Sequence, residues 1–232
     1  MVMMSSKIFQ PLVAMRFHPK VWLFVRWGLF LTILFGVTGF PAIAMVSLMV
    51  TAMILAFFRD PLRVSPDIPG VILSPADGML MEIQEEAEPP AELGLSGKWK
   101  KIGIFLAPWD VHINRFPVEG RVEKRVYKEG KFAHVATTNS RPENERLSLL
   151  IALPSKEQMV CVQIAGFLAR RIVCDAEPEE ILMAGQKYGI ICFGSRVDLY
   201  VRPHVMIWAK EGQRMIGGES ILGVLPETPE LD

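Results

Sequence analysis

The chain has 232 residues, enough to bury a full core in one large domain or two small ones. Its 25 basic and 25 acidic residues cancel, but residues 1–58 hold Lys7, Arg16, Lys20 and Arg26 and no acid; a basic apolar head on an acidic body favours anionic lipid over nucleic acid as a partner. The three cysteines (Cys161, Cys174, Cys192) sit in apolar contexts without metal-ligand spacing, which reads as buried thiols in a reducing compartment and argues against a disulfide framework or a metal site.

From Val21 to Phe58 the only charge is Arg26, and Gly36, Gly39 and Pro41 interrupt the run. This predicts two helices, Val21–Val37 and Phe40–Phe58, each about 25–28 Å long against a hydrocarbon core of ~30 Å. Two arrangements follow. A hairpin spanning twice would leave Lys7, Arg16, Lys20, Arg59 and Arg63 on the cytoplasmic side, as the positive-inside rule demands. Alternatively, the pair wedges into one leaflet. Ala42-Ile43-Ala44 has the shape of a signal-peptide cleavage site, but the basic region before it is long and a second apolar segment follows at once. Residues 1–58 therefore read as a membrane anchor.

The body, 59–232, switches to short β-branched runs between Gly and Pro: 70–73, 78–83, 101–107, 120–127, 147–152, 160–164, 190–193, 196–201 and 221–225. Strands so short and so spaced predict an all-β sandwich or barrel. Ala184-Gly185-Gln186 and Gly217-Gly218-Glu219 each enter a strand through glycine, as in the hammerhead hairpins of biotinyl/lipoyl-type domains. Ala76-Asp77-Gly78 and Val118-Glu119-Gly120 form a second similar pair. Acidic, proline-bearing Glu85–Gly97 and polar Thr137–Arg146 read as loops, and Arg170-Arg171 as an exposed edge or a phosphate or carboxylate contact.

Three stretches carry candidate chemistry. Asp77 follows a strand directly, in Ser74-Pro75-Ala76-Asp77-Gly78. In Trp109–Pro117 alternation puts His112 and Asn114 on one strand face with Asp110. Gly194-Ser195 lies inside a hydrophobic β segment, where glycine leaves its carbonyl unscreened by a Cβ and the serine hydroxyl can attack it. A serine needs a base, and the base an orienting acid; Ser195, His112 and Asp77 supply that set. His18, His134 and His204 lack such company.

These stretches, with Phe57-Phe58-Arg59-Asp60-Pro61, Asp110-Val111-His112-Ile113-Asn114-Arg115, Glu143-Asn144-Glu145-Arg146, Gln163-Ile164-Ala165-Gly166, Arg170-Arg171-Ile172-Val173 and Phe193-Gly194-Ser195-Arg196-Val197-Asp198, run in order from Phe57 onward. In this the chain resembles the phosphatidylserine decarboxylase proenzymes of the short bacterial and archaeal form. The resemblance implies that Ser195 attacks the Gly194 carbonyl, that the resulting ester eliminates to dehydroalanine, and that hydrolysis leaves a covalent pyruvoyl cofactor at 195. It implies two chains held together as a heterodimer, 1–194 and 195–232, the second of 38 residues. The ketone would form a Schiff base with the serine amine of phosphatidylserine and act as electron sink as CO₂ leaves, giving phosphatidylethanolamine. His112 is then the acid that returns a proton, and Asp77 supports the cleavage.

Longer family members carry a second histidine where this chain has Arg115, which leaves the base for self-cleavage open, with His112 serving both stages as one option. The sequence leaves open an ether-linked lipid substrate, an inactive lipoyl-like membrane module and assembly into a homo-oligomer. A serine hydrolase would require a Gly-x-Ser-x-Gly elbow, and a lipoyl-type carrier a lysine at a hairpin tip; neither stands here.

Overall fold

Breaks at glycine and proline divide the chain much as they divide the sequence. The computed structural model describes residues 16–19, 21–130, 144–166, 172–192 and 195–226. Two compact units result, Met1–Leu62 and Arg63–Asp232.

In the first unit, helix α1 (Val21–Val37) and helix α2 (Pro41–Phe57) are antiparallel neighbours. Gly39, with φ +84°, makes the turn, and Pro41 starts α2 at a position where its missing N–H costs nothing. Phe40 and Phe58 cap α2 rather than belonging to it. The helices cross at Gly28, where an added Cβ would lie 2.0 Å from Thr51 Oγ1 and where Ser47 Oγ donates to the Gly28 carbonyl at 3.1 Å. Strands β1 (Arg16–Phe17) and β2 (Arg59–Asp60) pair at the base of the helices. Among the described residues no helix is long and apolar enough to cross a membrane.

The second unit is mainly β. In chain order its strands are β3 (Val71–Leu73), β4 (Gly78–Ala87), β5 (Trp99–Leu106), β6 (Ile113–Arg115), β7 (Gly120–Lys128), β8 (Arg146–Ala152) and β9 (Gln158–Ile164). They continue with β10 (Ile172–Cys174), β11 (Ile181–Leu182), β12 (Lys187–Ile191), β13 (Ser195–Val201), β14 (Met206–Ile207), β15 (Arg214–Met215) and β16 (Ile221–Val224). An eight-stranded sheet has the order β11-β7-β8-β9-β13-β5-β4-β15, and two three-stranded sheets have the orders β10-β12-β6 and β14-β16-β3.

This order is a palindrome about the β9–β13 junction. The continuous run β6–β12 repeats the arrangement of β3–β5 followed by β13–β16 and is inserted between β5 and β13. The turns match as well: Ser74-Pro75-Ala76-Asp77-Gly78 leads into β4 as Phe116-Pro117-Val118-Glu119-Gly120 leads into β7. Gly185 and Gly218 share φ +77° and touch, a Cβ on Gly218 lying 3.4 Å from Gly185 Cα. Gly185 N donates to Phe116 O and Gly218 N to Ser74 O, each at 2.8 Å. The inserted repeat therefore rejoins its host at Ser195.

Alternation along the large sheet separates two layers of side chains. Val197, Leu199, Ile104 and Cys161 face the main core, while Tyr200, Val160, Val162 and Trp99 face a second cluster. Leu93, from a 3₁₀ turn (Ala91–Leu93), closes that second cluster. The stretch expected to be an exposed loop, Glu85–Gly97, is thus partly strand and partly cover, because Leu93 supplies an apolar anchor within its acidic residues. Of the predicted buried thiols, Cys161 is buried and Cys174 and Cys192 are half-buried. Residues 137–143 of the predicted polar loop and the Arg170-Arg171 pair lie outside the described residues.

Candidate active site

Ser195 opens β13, the central strand whose neighbours are β5 and β9. Its cross-strand partner is Leu106, and its side chain points with Val197 into the main core. The residue is fully buried, and Oγ has no hydrogen-bond partner among the described residues. Gly194 lies outside the described residues.

His112 is held against the same stretch of chain. Ile191 N donates to the His112 carbonyl at 3.2 Å, and four residues later Ser195 meets Leu106. Ile191 and Ser195 are thus both tied to the 106–112 stretch. His112 is fully buried, the only such histidine among the described residues; His204 is at the surface beside Glu157 and His134 is not described. Its Nδ1 lies 2.9 Å from the Asp110 carbonyl oxygen. A carbonyl only accepts, so the neutral ring carries its proton on Nδ1 and Nε2 is the basic nitrogen.

The expected strand face of Asp110, His112 and Asn114 is not what forms. The chain turns at Ala107–Asp110, fixed by Asp110 N to Ala107 O at 2.9 Å and Ala107 N to Asp110 Oδ2 at 2.8 Å, and β6 begins only at Ile113. Both faces of the segment are buried, since it lies between sheets, so alternation carries no in-and-out signal here. Asp110 instead acts through its main chain on His112 and through Oδ1 on Arg214.

Asp77 is anchored on both oxygens: Arg63 Nη2 donates to Oδ2 at 2.7 Å and Gly217 N to Oδ1 at 2.8 Å. Burial pushes its carboxyl above the ordinary value; the Arg63 charge and the Gly217 N–H oppose that shift, nearby Asp110 adds to it, and Arg115 opposes it. The Asp77 turn and the His112 segment are stitched together by Arg115 N donating to Pro75 O at 2.9 Å. Arg115 Nη1 donates to the Gly185 carbonyl at 3.0 Å. Arg115 thus helps to clasp the two glycine turns.

Two features gave little sign of themselves in the sequence. Asn114 Oδ1 accepts from Gln163 Nε2 at 2.8 Å, both residues being fully buried. On the opposite face of the large sheet, Arg196 donates Nε to Asp198 and Nη2 to Glu82, with Lys101 Nζ 3.5 Å from Glu82 and 3.8 Å from Asp198. Gly103 leaves space for that guanidinium. The signal for both was a lone polar residue in an apolar strand, as in Val160-Cys161-Val162-Gln163-Ile164 or Leu80-Met81-Glu82-Ile83. Cys161 is no rival nucleophile, because burial pushes its thiol up to about 12.

The sequence model of phosphatidylserine decarboxylase matches residues 50–223. Phosphatidylserine decarboxylase proenzymes are similar at comparable extent. That of Granulibacter bethesdensis is 45% identical over 177 residues, covering 75% of this chain and 72% of its own. That of Neorickettsia sennetsu is 41% identical, covering 82% and 84%, and that of Geotalea uraniireducens 38%, covering 88% and 93%. The chain belongs to the phosphatidylserine decarboxylase family. The span that matches the phosphatidylserine decarboxylase model takes in Asp77, His112, Gly194 and Ser195 and leaves out most of the apolar head.

Proposed function

We propose that this chain decarboxylates phosphatidylserine to phosphatidylethanolamine after cutting itself between Gly194 and Ser195. The observation that carries this reading is the buried Ser195 hydroxyl, unpartnered among the described residues, opposite Leu106 at the start of the stretch that leads to His112. An unpaired hydroxyl there is costly in a merely structural serine, by about 1–3 kcal/mol, and is what a nucleophile awaiting its reaction presents. A strand start, rather than a strand-to-helix elbow, also disfavours a serine hydrolase.

In the first stage Ser195 Oγ bonds to the Gly194 carbonyl carbon and the C–N bond breaks, giving an ester and a free amine. His112 Nε2 takes the hydroxyl proton and delivers it to the departing nitrogen. Asp77, clamped between Arg63 and the Gly217 N–H, holds its turn against the His112 segment. The ester then eliminates, releasing the Gly194 carboxylate at the end of 1–194, and water hydrolyses the dehydroalanine left at 195 with loss of ammonia, so that residue 195 becomes the N-terminus of a 38-residue chain. The site fits a pyruvoyl group, since replacing an unpartnered hydroxyl by a ketone sacrifices no hydrogen bond with the described residues. When present, that group supplies a ketone that condenses with the substrate amine and accepts the electron pair released with CO₂. His112 holds the proton that returns to the substrate Cα.

Residues 1–58 serve as the anchor and 59–232 as the decarboxylase domain, a hammerhead barrel-sandwich of the biotinyl/lipoyl kind supported by the touching Gly185 and Gly218 turns. Leaving a Leu or Phe side chain in water forgoes roughly 1.5–3 kcal/mol. The helices expose Leu23, Phe24, Trp27, Phe30 and Ile33, so lipid is their fitting surround, on the cytoplasmic face by the flanking arginines. Incubating the purified chain with phosphatidylserine labelled at the serine carboxyl tests the reading. Release of labelled CO₂ with phosphatidylethanolamine supports it; a cut chain that leaves the lipid intact refutes it.

A further inference from the structure

We infer that Asn114 and Gln163 form a subsite for the carboxylate of the substrate's serine head, an inference that rests on the decarboxylase reading above. Gln163 stands on β9 opposite Val197, on the core face, and is therefore the diagonal neighbour of Ser195 across β13. Diagonal pairs of this kind lie about 7–8 Å apart, within reach of a long side chain. Asn114 approaches from β6, opposite Gly189, and the missing side chain at Gly189 makes the room: a Cβ there would lie 3.1 Å from Gln163 Nε2.

The two amides bond to each other and are otherwise left over. Asn114 Nδ2 and Gln163 Oε1 are buried and have no hydrogen-bond partner among the described residues. Turning both amides over exchanges the atoms but leaves the same inventory, one NH₂ and one carbonyl. Satisfied cores do not carry such a remainder beside an unpartnered serine hydroxyl.

A donor NH₂ suits a carboxylate, which only accepts, and the leftover carbonyl suits the substrate's N–H. The neutrality of the donor matters for this reaction. A guanidinium would bind the carboxylate strongly in the ground state, and that stabilisation would be lost as CO₂ leaves; an amide orients the group with less of that penalty.

The test uses Asn114→Leu and Gln163→Met, close in volume but without the amide, in the full-length chain with phosphatidylserine in detergent micelles. Phosphatidylethanolamine, which lacks the carboxylate, is the control ligand. For Asn114→Leu the chain should still be cut, with KM for phosphatidylserine raised about 10–100-fold, the worth of one hydrogen bond to a charged group. Inhibition by phosphatidylethanolamine should stay within about twofold of wild type, because a carboxylate contact cannot act on a ligand without one. Gln163→Met should move KM in the same direction by less. The inference is overturned if KM and phosphatidylethanolamine inhibition shift together in Asn114→Leu, if neither moves in that variant, or if both variants remain uncut. A wild-type chain that is not cut, or that leaves phosphatidylserine unchanged, would instead sink the decarboxylase reading itself.

Discussion

Leu106 and Ser195 face each other across β5 and β13, and this pairing sets where the chemistry can occur. Six residues beyond Leu106 lies His112, and four residues before Ser195 lies Ile191, whose N–H donates to the His112 carbonyl. The bond proposed to be cut therefore lies, in sequence, between two residues tied to the segment that carries the proposed base. After the proposed cut, β13 pairing with β5 and β9, β15 with β4 and β16 with β3 would keep 195–232 on the longer product.

His112→Gln removes the basic Nε2 while keeping a side chain able to donate to the Asp110 carbonyl. Steady-state decarboxylation should fall about 10²–10⁴-fold in kcat, the range expected for loss of a positioned acid–base group. Turnover within about twofold of wild type would move the acid to another residue.

Asp77→Asn keeps an acceptor for the Gly217 N–H and loses the ion pair with Arg63. Pulse-chase labelling should show chain cutting slowed by about tenfold or more, while molecules that have been cut retain their turnover number. Cutting at the normal rate would remove Asp77 from the cleavage stage.

Arg196→Ala leaves Glu82 and Asp198 buried without their main counter-charge, with only Lys101 nearby. Burial already raises the Asp198 carboxyl, against the pull of Arg196 and Lys101. Breaking one partner out of a buried charge cluster costs about 3–5 kcal/mol, so denaturant midpoints should drop clearly. An unchanged midpoint would show the cluster to be energetically idle.

Glu92→Gln tests the cover over the outer face of the large sheet. Burial acts to raise the Glu92 carboxyl, but the Arg146 hydrogen bonds and the Ser148 hydroxyl outweigh it and hold the group down to about 2. A depressed carboxyl contributes stability above its unfolded value and loses that contribution as pH falls through the folded one. The variant should be less stable than wild type by about 1–2 kcal/mol at pH 7, with the gap closing between about pH 4.5 and pH 2. A gap independent of pH would assign the loss to packing rather than to charge.

Much of this was legible in the sequence, for identifiable reasons. The nine predicted strands all formed because each combines β-branched residues with a Gly or Pro boundary, and Val21–Val37 was bounded by the Gly39 turn. The short strands β10, β11, β14 and β15 escaped because two or three residues carry no period. The Asp110–Asn114 face was misread since a segment buried on both sides does not alternate. Asp77, His112 and Ser195 stood out as residue types. Their tethering through Arg115 N to Pro75 O and Ile191 N to His112 O did not, because main-chain hydrogen bonds between distant segments leave no compositional trace. The Asn114–Gln163 pair was hidden for a related reason: each is a single amide whose partner lies 49 residues away.

The central claim is that the Gly194–Ser195 bond is the one that breaks, and intact mass spectrometry of the denatured protein tests it most directly. The account predicts two chains, 1–194 and 195–232, the shorter with a ketone in place of its N-terminal amine, and a single 232-residue chain for Ser195→Ala. A wild-type protein that remains one 232-residue chain, or a Ser195→Ala variant that is still cut, would contradict it.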